Sequence, residues 1–125
     1  MRFGAATGLR PLPEWKRQVD FLFVQIGFTL EPLLRWRDQV DVSAPVYAGV
    51  MALNGPGMAR SLAASIPDID IPAELVAKVN EDRLAGVEAV CQLVTDIRAS
   101  GAFDGVHLIP VSRYREVAAR LEQLL

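Results

Sequence analysis

Apolar residues along this chain follow two distinct patterns. Three short stretches are apolar at nearly every position, which is typical of parallel strands that are covered on both faces. These predicted strands are residues 20–28, 46–53 and 105–111. Elsewhere apolar residues recur every three or four positions, which predicts amphipathic helices. The predicted helices cover residues 30–40, about 57–65, a segment that begins at residue 73, about 81–100 and about 113–124.

Proline and glycine mark the ends of several of these elements. Asn54-Gly55-Pro56-Gly57 ends the second strand, and Gly101 is placed to stop the longest helix as a C-cap. Residues 1–13 are small, polar and proline-bearing, so they are predicted to form a loop. Residues 14–19 are predicted to form a short helical turn, and no internal repeat interrupts this order.

The alternation of strands and helices predicts an α/β fold with a parallel sheet and right-handed crossovers. A closed (β/α)8 TIM barrel needs eight strands and about 250 residues. This chain has 125 residues and about three predicted strands, so it is expected to be a single domain. Two architectures remain open: a three-stranded open sheet, or a C-terminal half-barrel in which residues 14–125 form βα units. The runs at 21–28 and 46–53 are too apolar to suit exposed sheet edges.

Composition and charge exclude several classes of function. Hydrophobic residues make up 51% of the chain and the net charge is −2, with thirteen basic and fifteen acidic residues interspersed. A nucleic-acid-binding protein would need a basic cluster, and a bilayer-spanning helix would need about 20 consecutive apolar residues. Neither pattern occurs in the sequence, so we expect no nucleic-acid and no membrane partner. A single cysteine, Cys91, and a single histidine argue against a disulfide and a metal site, and they fit the reducing cytoplasm.

Gln25 is a polar residue inside the otherwise apolar run of residues 21–28. A buried carboxamide that lacks hydrogen-bond partners costs about 1–3 kcal/mol. Its amide could be satisfied by neighbouring backbone. Alternatively, it could point into a pocket and both donate to and accept from a heterocycle. Chemistry alone leaves these two interpretations about equal.

Four segments that span almost the whole chain carry a family resemblance. They are Asp20-Phe21-Leu22-Phe23-Val24-Gln25 with Phe28 and Leu34-Arg35-Trp36-Arg37-Asp38 after it; Val46-Tyr47-Ala48-Gly49-Val50-Met51; Ile71-Pro72-Ala73-Glu74-Leu75; and Gly105-Val106-His107-Leu108 through Ser112-Arg113. In this order and spacing, they resemble the C-terminal half of the methylenetetrahydrofolate reductase family, whose members are TIM-barrel enzymes.

The resemblance implies an oxidoreductase of one-carbon metabolism. The family reduces 5,10-methylenetetrahydrofolate to 5-methyltetrahydrofolate with electrons from NAD(P)H, usually through FAD. Gln25 matches the glutamine that contacts the pterin or nicotinamide, and Arg113 matches the arginine that reaches the folate. Lys16 lies near the place where the family has a lysine on the FAD phosphate. His107 is a candidate for the pocket lining, although a histidine within a strand is more often satisfied in the core.

Several positions depart from the family pattern. Ala48 and Ala52 replace prolines of the second strand, whereas Met58 and Leu62 replace a glutamine and a phenylalanine that face the pterin and nicotinamide. Met58 and Leu62 are therefore predicted to line the pocket by packing alone. The family's proton-donating acid and most of its FAD-binding residues lie in the first half of the barrel, so no catalytic residue is assigned. We expect a divergent subgroup that is incomplete as this chain alone and transfers hydride without flavin.

Two other classes of function remain open at this stage. One is a non-catalytic half-barrel that binds a small ligand or self-associates, so the expected partner is either another copy or a missing N-terminal half. The other is a corrinoid- or folate-dependent methyl-transfer barrel, which shares the recognition of a pterin but does not use NAD(P)H. Oxidation of NADH in the presence of methylenetetrahydrofolate distinguishes the reductase from the methyl-transfer protein.

Overall fold

The computed structural model describes residues 2–66, 69–82, 84–109 and 114–124, which fold around a parallel sheet. Within these residues there are four β-strands, five α-helices and one 3-10 helix. In chain order they are β1 (Gly4–Thr7), the 3-10 helix (Glu14–Gln18), β2 (Phe21–Gly27), α1 (Leu30–Gln39), β3 (Val46–Val50), α2 (Pro56–Ser65), α3 (Ala73–Glu81), α4 (Ala85–Ser100), β4 (Gly105–Leu108) and α5 (Tyr114–Leu124). None of these helices combines the length and the apolarity needed to cross a membrane.

The three predicted strands and the predicted helices form at the expected places, but some of their ends differ. Strand β3 ends at Val50 rather than at residue 53. Pro56 occupies the first position of α2, where its missing N–H is not needed, and Gly101 ends α4 with a φ of 67°. However, α4 begins at Ala85 rather than at residue 81. Asp82 is the physical reason, because its side-chain oxygen accepts a hydrogen bond from the Leu84 amide at 2.9 Å and holds a turn between α3 and α4.

Strand β1 lies in the segment that was predicted to be a loop, so the prediction of a loop over residues 1–13 and of about three strands was wrong. Its residues Gly4–Thr7 are small and lack an apolar alternation, which is why the sequence pattern did not reveal a strand. Backbone pairing with β2 determines the conformation instead, from Gly4 opposite Phe21 to Thr7 opposite Val24.

An aspartate holds the start of a strand at two places in the sheet. Asp20 accepts a hydrogen bond from the Phe3 amide at 2.6 Å and donates its own amide to the Phe3 carbonyl at 2.7 Å. Asp104 repeats both bonds with Val46, each at 2.8 Å. Each aspartate therefore fixes the register at the beginning of a pair of parallel strands.

The four strands lie side by side in their order along the chain, and every pair is parallel. One face of the sheet packs on the helices. Its central residues are completely buried and form the main core with α1, α4 and the first part of α5. These strand residues are Leu22, Val24, Val46, Ala48 and Val50. A second, smaller cluster packs α2 and α3 beyond the carboxyl ends of β2 and β3, and it includes Phe28, Met51, Leu53, Ala59 and Val79.

The opposite face of the sheet carries aromatic rings. We call this surface the aromatic face; its rings are those of Phe21, Phe23, Tyr47 and His107. Phe21 and Phe23 meet edge-to-face with centroids 5.5 Å apart, and Phe23 also lies 5.5 Å from Tyr47 and 5.1 Å from His107. The first three side chains are only partly buried and His107 is exposed, in contrast to the fully buried helix-side residues.

Candidate functional site

A cavity of about 440 Å³ opens beside the carboxyl ends of β1 and β2. We call it the β1–β2 cavity. Parallel α/β sheets have their ligand sites at the carboxyl ends of the strands, because the loops that follow the strands converge there. The residues that give the cavity its chemistry are Thr7, Arg10, Lys16, Gln25, Ile26 and Ile66. Its volume lies within the range of about 300–1,000 Å³ that is typical of small-molecule sites.

Gln25 enters the cavity from the end of β2, where the strand is irregular. The β2–β3 register shifts between Val24 and Gly27, and the Gln25–Ile26 peptide bond is cis. The Gln25 side chain lies over Gly49 of β3, since a Cβ added to Gly49 would be 2.8 Å from Gln25 Cβ and 3.3 Å from its Oε1. The absence of a side chain at Gly49 thus provides the space in which the carboxamide lies.

The carboxamide of Gln25 makes no hydrogen bond to any of the described residues. Of the two interpretations that the sequence left open, a glutamine satisfied by neighbouring backbone is therefore not the one observed in this part of the chain. The amide retains two donors and an acceptor that a ligand in the cavity can use.

Two cationic residues, Lys16 and Arg10, line the same cavity as the amide. Lys16 Nζ donates to the carbonyl of Ala6 at 2.7 Å and lies 5.3 Å from the ring of Trp15. The chain at Arg10 is anchored by Trp36, whose indole N–H donates to the Arg10 carbonyl at 2.8 Å. Within the described residues neither cation pairs with a carboxylate, and no acidic side chain lines the cavity. The cavity is consequently suited to a ligand that carries a carboxylate or phosphate.

No protein-family model matches this chain, and no curated protein matches it. Its function is therefore inferred from the residues of the cavity and from the sheet that positions them.

The structure brings together only some of the residues predicted from the sequence. Gln25 and Lys16 line the same cavity. His107 instead stacks on the aromatic face beside Phe23, opposite Gly49 in the strand register. Met58 and Leu62 pack against the smaller hydrophobic cluster and are not part of the cavity lining. The predicted folate-binding Arg113 lies outside the described residues.

Arg10 and Thr7 are cavity residues that the sequence did not indicate. Both belong to the segment that was predicted to be a loop, and a polar residue at the end of a strand is a signal only after the strand has been recognised. Trp36 lies in the main core and is 4% exposed. Its hydrogen bond to Arg10, which ties the cavity to α1, was not foreseen.

Cys91 has the chemistry of a core residue. It is completely buried on α4, and its thiol donates to the carbonyl of Val117 at 3.8 Å. Burial raises the pKa of the Cys91 thiol, the charge of Glu88 raises it further, and Arg120 partly opposes this. The thiolate, which is the reactive form, is thus disfavoured at neutral pH.

Proposed function

We propose that this chain is the C-terminal half of a (β/α)8 barrel of the methylenetetrahydrofolate reductase type, in which the β1–β2 cavity holds the folate. The observation that carries the proposal is the Gln25 carboxamide, which has no hydrogen-bond partner among the described residues and lies toward the carboxyl end of a parallel strand. A pterin edge presents adjacent donors and acceptors, which an amide can match with both of its polar atoms.

The order of the strands supports a half-barrel over a doubly wound sheet. Consecutive strands are neighbours throughout, and the fully buried side chains face the helices on a single side. A doubly wound sheet reverses its strand order at a switch point and is covered by helices on both faces. In a barrel, consecutive strands lie side by side, all helices lie outside, and the other face fills the interior.

The cationic residues of the cavity define how the ligand would be oriented. With the pterin against Gln25, the glutamate tail of folate or a cofactor phosphate would lie toward Lys16 and Arg10. NAD(P)H would supply the hydride. Lys16 could hold one phosphate of FAD, but the described residues provide no recognisable site for its ring system, so we assign no flavin. The described cavity residues include no carboxylate, and the proton donor of a complete enzyme must therefore come from the other half of the barrel.

Because half a barrel is not expected to turn over, ligand binding is the appropriate test. Calorimetric titration of the chain with tetrahydrofolate should show one site per chain. Gln25→Ala should weaken binding about 3–10-fold, which corresponds to the usual net worth of about 0.5–1.5 kcal/mol for one hydrogen bond. Gln92→Ala is the matched control, because Gln92 is an exposed residue of α4 that does not line the cavity.

Two results would contradict the proposal: no binding of tetrahydrofolate, or equal affinity of wild type and Gln25→Ala. If the folate binds, the reaction can be tested by supplying the first four βα units of a reductase barrel as a separate chain. Oxidation of NADH that depends on methylenetetrahydrofolate then supports a reductase, whereas its absence favours the methyl-transfer alternative.

A second candidate function is a non-catalytic half-barrel that binds a small anionic ligand. The specific observation in its favour is that the cavity offers cations and an amide but, within the described residues, no carboxylate and no histidine. Competition by inorganic phosphate distinguishes the two candidates. Phosphate at millimolar concentration should displace a simple anionic ligand completely, whereas a folate held through Gln25 should lose only part of its affinity.

A further inference from the structure

The sheet has two free edges that face away from each other. Among the described strands, β1 pairs only with β2, and β4 pairs only with β3. Apart from the Ala6 carbonyl, which accepts from Lys16 Nζ, the described residues leave the outward backbone N–H and C=O groups of each edge unpaired, and proteins normally cover or pair such groups. Because all four strands are parallel and in sequential order, a strand added beside β4 in the same direction continues the sheet, and so does one added beside β1.

The aromatic face has the composition of a barrel interior rather than of a surface. Large side chains lie over glycines of the neighbouring strands: Phe21 covers Gly4, and Tyr47 covers Gly105, where an added Cβ would be 2.9 Å from the ring. A small eight-stranded barrel is filled by such interdigitated side chains. In the isolated chain the rings remain partly exposed.

The two edges are complementary on the helix side of the sheet. Phe3 comes directly before β1, and alternation with Gly4 places it on the side opposite Phe21, where it is 63% exposed. Beside β4 there is an apolar groove of about 440 Å³, which we call the β4 groove. Most of its lining is apolar, and Gly105 and the charged residues Arg98 and Asp104 complete it. The apolar lining residues are Val94, Ile97, Phe103, Val106, Leu108 and Leu121. An exposed phenyl ring at one edge thus corresponds to an apolar groove at the other, in the same layer of the fold.

The exposed area is also larger than a folded monomer of this mass should have. The chain exposes 7449 Å² at a mass of 13.7 kDa. The scaling of surface with mass gives about 6,600 Å² for a compact monomer. The excess of about 850 Å² is close to the roughly 800 Å² that each partner buries in a standard stable interface.

We infer that two copies of this chain close into an eight-stranded parallel barrel. In this dimer β4 of each copy pairs with β1 of the other, each Phe3 enters the β4 groove of the other copy, and the two aromatic faces form the interior. A twofold axis along the barrel makes the two junctions identical and leaves no edge unpaired. In this dimer the second copy takes the place that the proposed function gives to an N-terminal half, so the two are alternative ways of closing the barrel. The binding of a ligand in the β1–β2 cavity does not depend on which of them closes it.

The mass of the chain in solution tests this assembly directly. Sedimentation equilibrium of the wild-type chain from 1 to 100 μM should give twice the 13.7 kDa mass of one chain. Phe3→Glu places a charge into both β4 grooves and should raise the dimer dissociation constant about 100-fold or more. Trp15→Glu is the matched control, because Trp15 is also 63% exposed but lies in the 3-10 helix, and it should leave the mass unchanged.

A cross-link provides a second readout that does not depend on the stability of a variant. Phe3→Cys combined with Leu121→Cys should give a disulfide-linked dimer under mild oxidation, and each single variant should not. The inference is overturned if the wild-type chain is monomeric at 100 μM or forms aggregates without a defined mass. It is equally overturned if Phe3→Glu remains as dimeric as Trp15→Glu. A chain that fails to dimerise but still binds tetrahydrofolate would leave the proposed function standing.

Discussion

Replacing Gly86 by alanine probes how closely α4 approaches the sheet. Gly86 is the second residue of α4 and faces the backbone that follows β3. A Cβ at this position would collide with the carbonyl oxygen of Leu53, and it would lie 2.9 Å from the carbonyl carbon and 3.2 Å from the amide nitrogen of the same residue. The colliding atoms belong to the backbone, so no side-chain rotation can relieve the overlap.

The magnitude follows from two opposing terms. Alanine is a better helix former than glycine by about 1 kcal/mol at interior positions, and less in the first turn. Forced overpacking costs about 1–3 kcal/mol, and a backbone collision belongs at the upper end of that range. We therefore expect Gly86→Ala to lower the free energy of unfolding by about 2 kcal/mol. Urea denaturation followed by circular dichroism at a fixed protein concentration measures this difference.

Gly57 provides the matched control, because it is the second residue of α2. A Cβ at Gly57 would have only the end of the Arg60 side chain nearby, at 3.9 Å. Gly57→Ala should consequently leave the stability unchanged or raise it by up to about 1 kcal/mol. If Gly86→Ala proves as stable as Gly57→Ala, then α4 does not pack on the segment after β3 as described.

Three further substitutions test other contacts. Trp36→Phe removes the hydrogen bond that anchors the backbone of Arg10, so it should cost about 1 kcal/mol in urea denaturation and weaken tetrahydrofolate binding; an unchanged affinity would separate this anchor from the cavity. Asp104→Ala leaves the buried amide at the start of β3 without its acceptor and should cost about 1–3 kcal/mol; unaltered stability would contradict this bond. The raised pKa of Cys91 predicts stability that is constant below the ordinary thiol pKa of about 8.5 and falls as the pH rises through the higher pKa of the folded state. Cys91→Ala should abolish this part of the pH dependence, and an identical slope in both proteins would refute the assignment.

The elements recognised from the sequence are those whose side chains determine their conformation. The apolar run that became β2 and the helical spacing that became α4 place their side chains in the main core, so burial and pattern agree. Strand β1 offers no such signal, since Gly4–Thr7 is held mainly by backbone hydrogen bonds to β2. Pairing of this kind depends on the neighbouring strand and cannot be read from the four residues themselves.

A residue of the candidate site was likewise predictable only where it stands out within its own segment. Gln25 could be identified because an amide in an apolar strand conflicts with its surroundings. Arg10 could not, because its position depends on β1 and on the distant indole of Trp36. The neighbours of Met58 and Leu62 depend on how α2 packs, and the structure places both against the smaller hydrophobic cluster rather than at the β1–β2 cavity.

Glycines lie beneath the aromatic rings, so the effect of a substitution at one of these positions depends on the residue at its partner position. Gly4→Ala should be harmful while Phe21 is present and nearly neutral once Phe21 is itself reduced to alanine, because the ring and the missing side chain occupy the same volume. The same reciprocity links Gly105 with Tyr47 and Gly49 with Gln25. Shifting a strand by one residue would bring a side chain under Phe21, Tyr47 or Gln25, so these three glycines also select the correct alignment of the strands during folding.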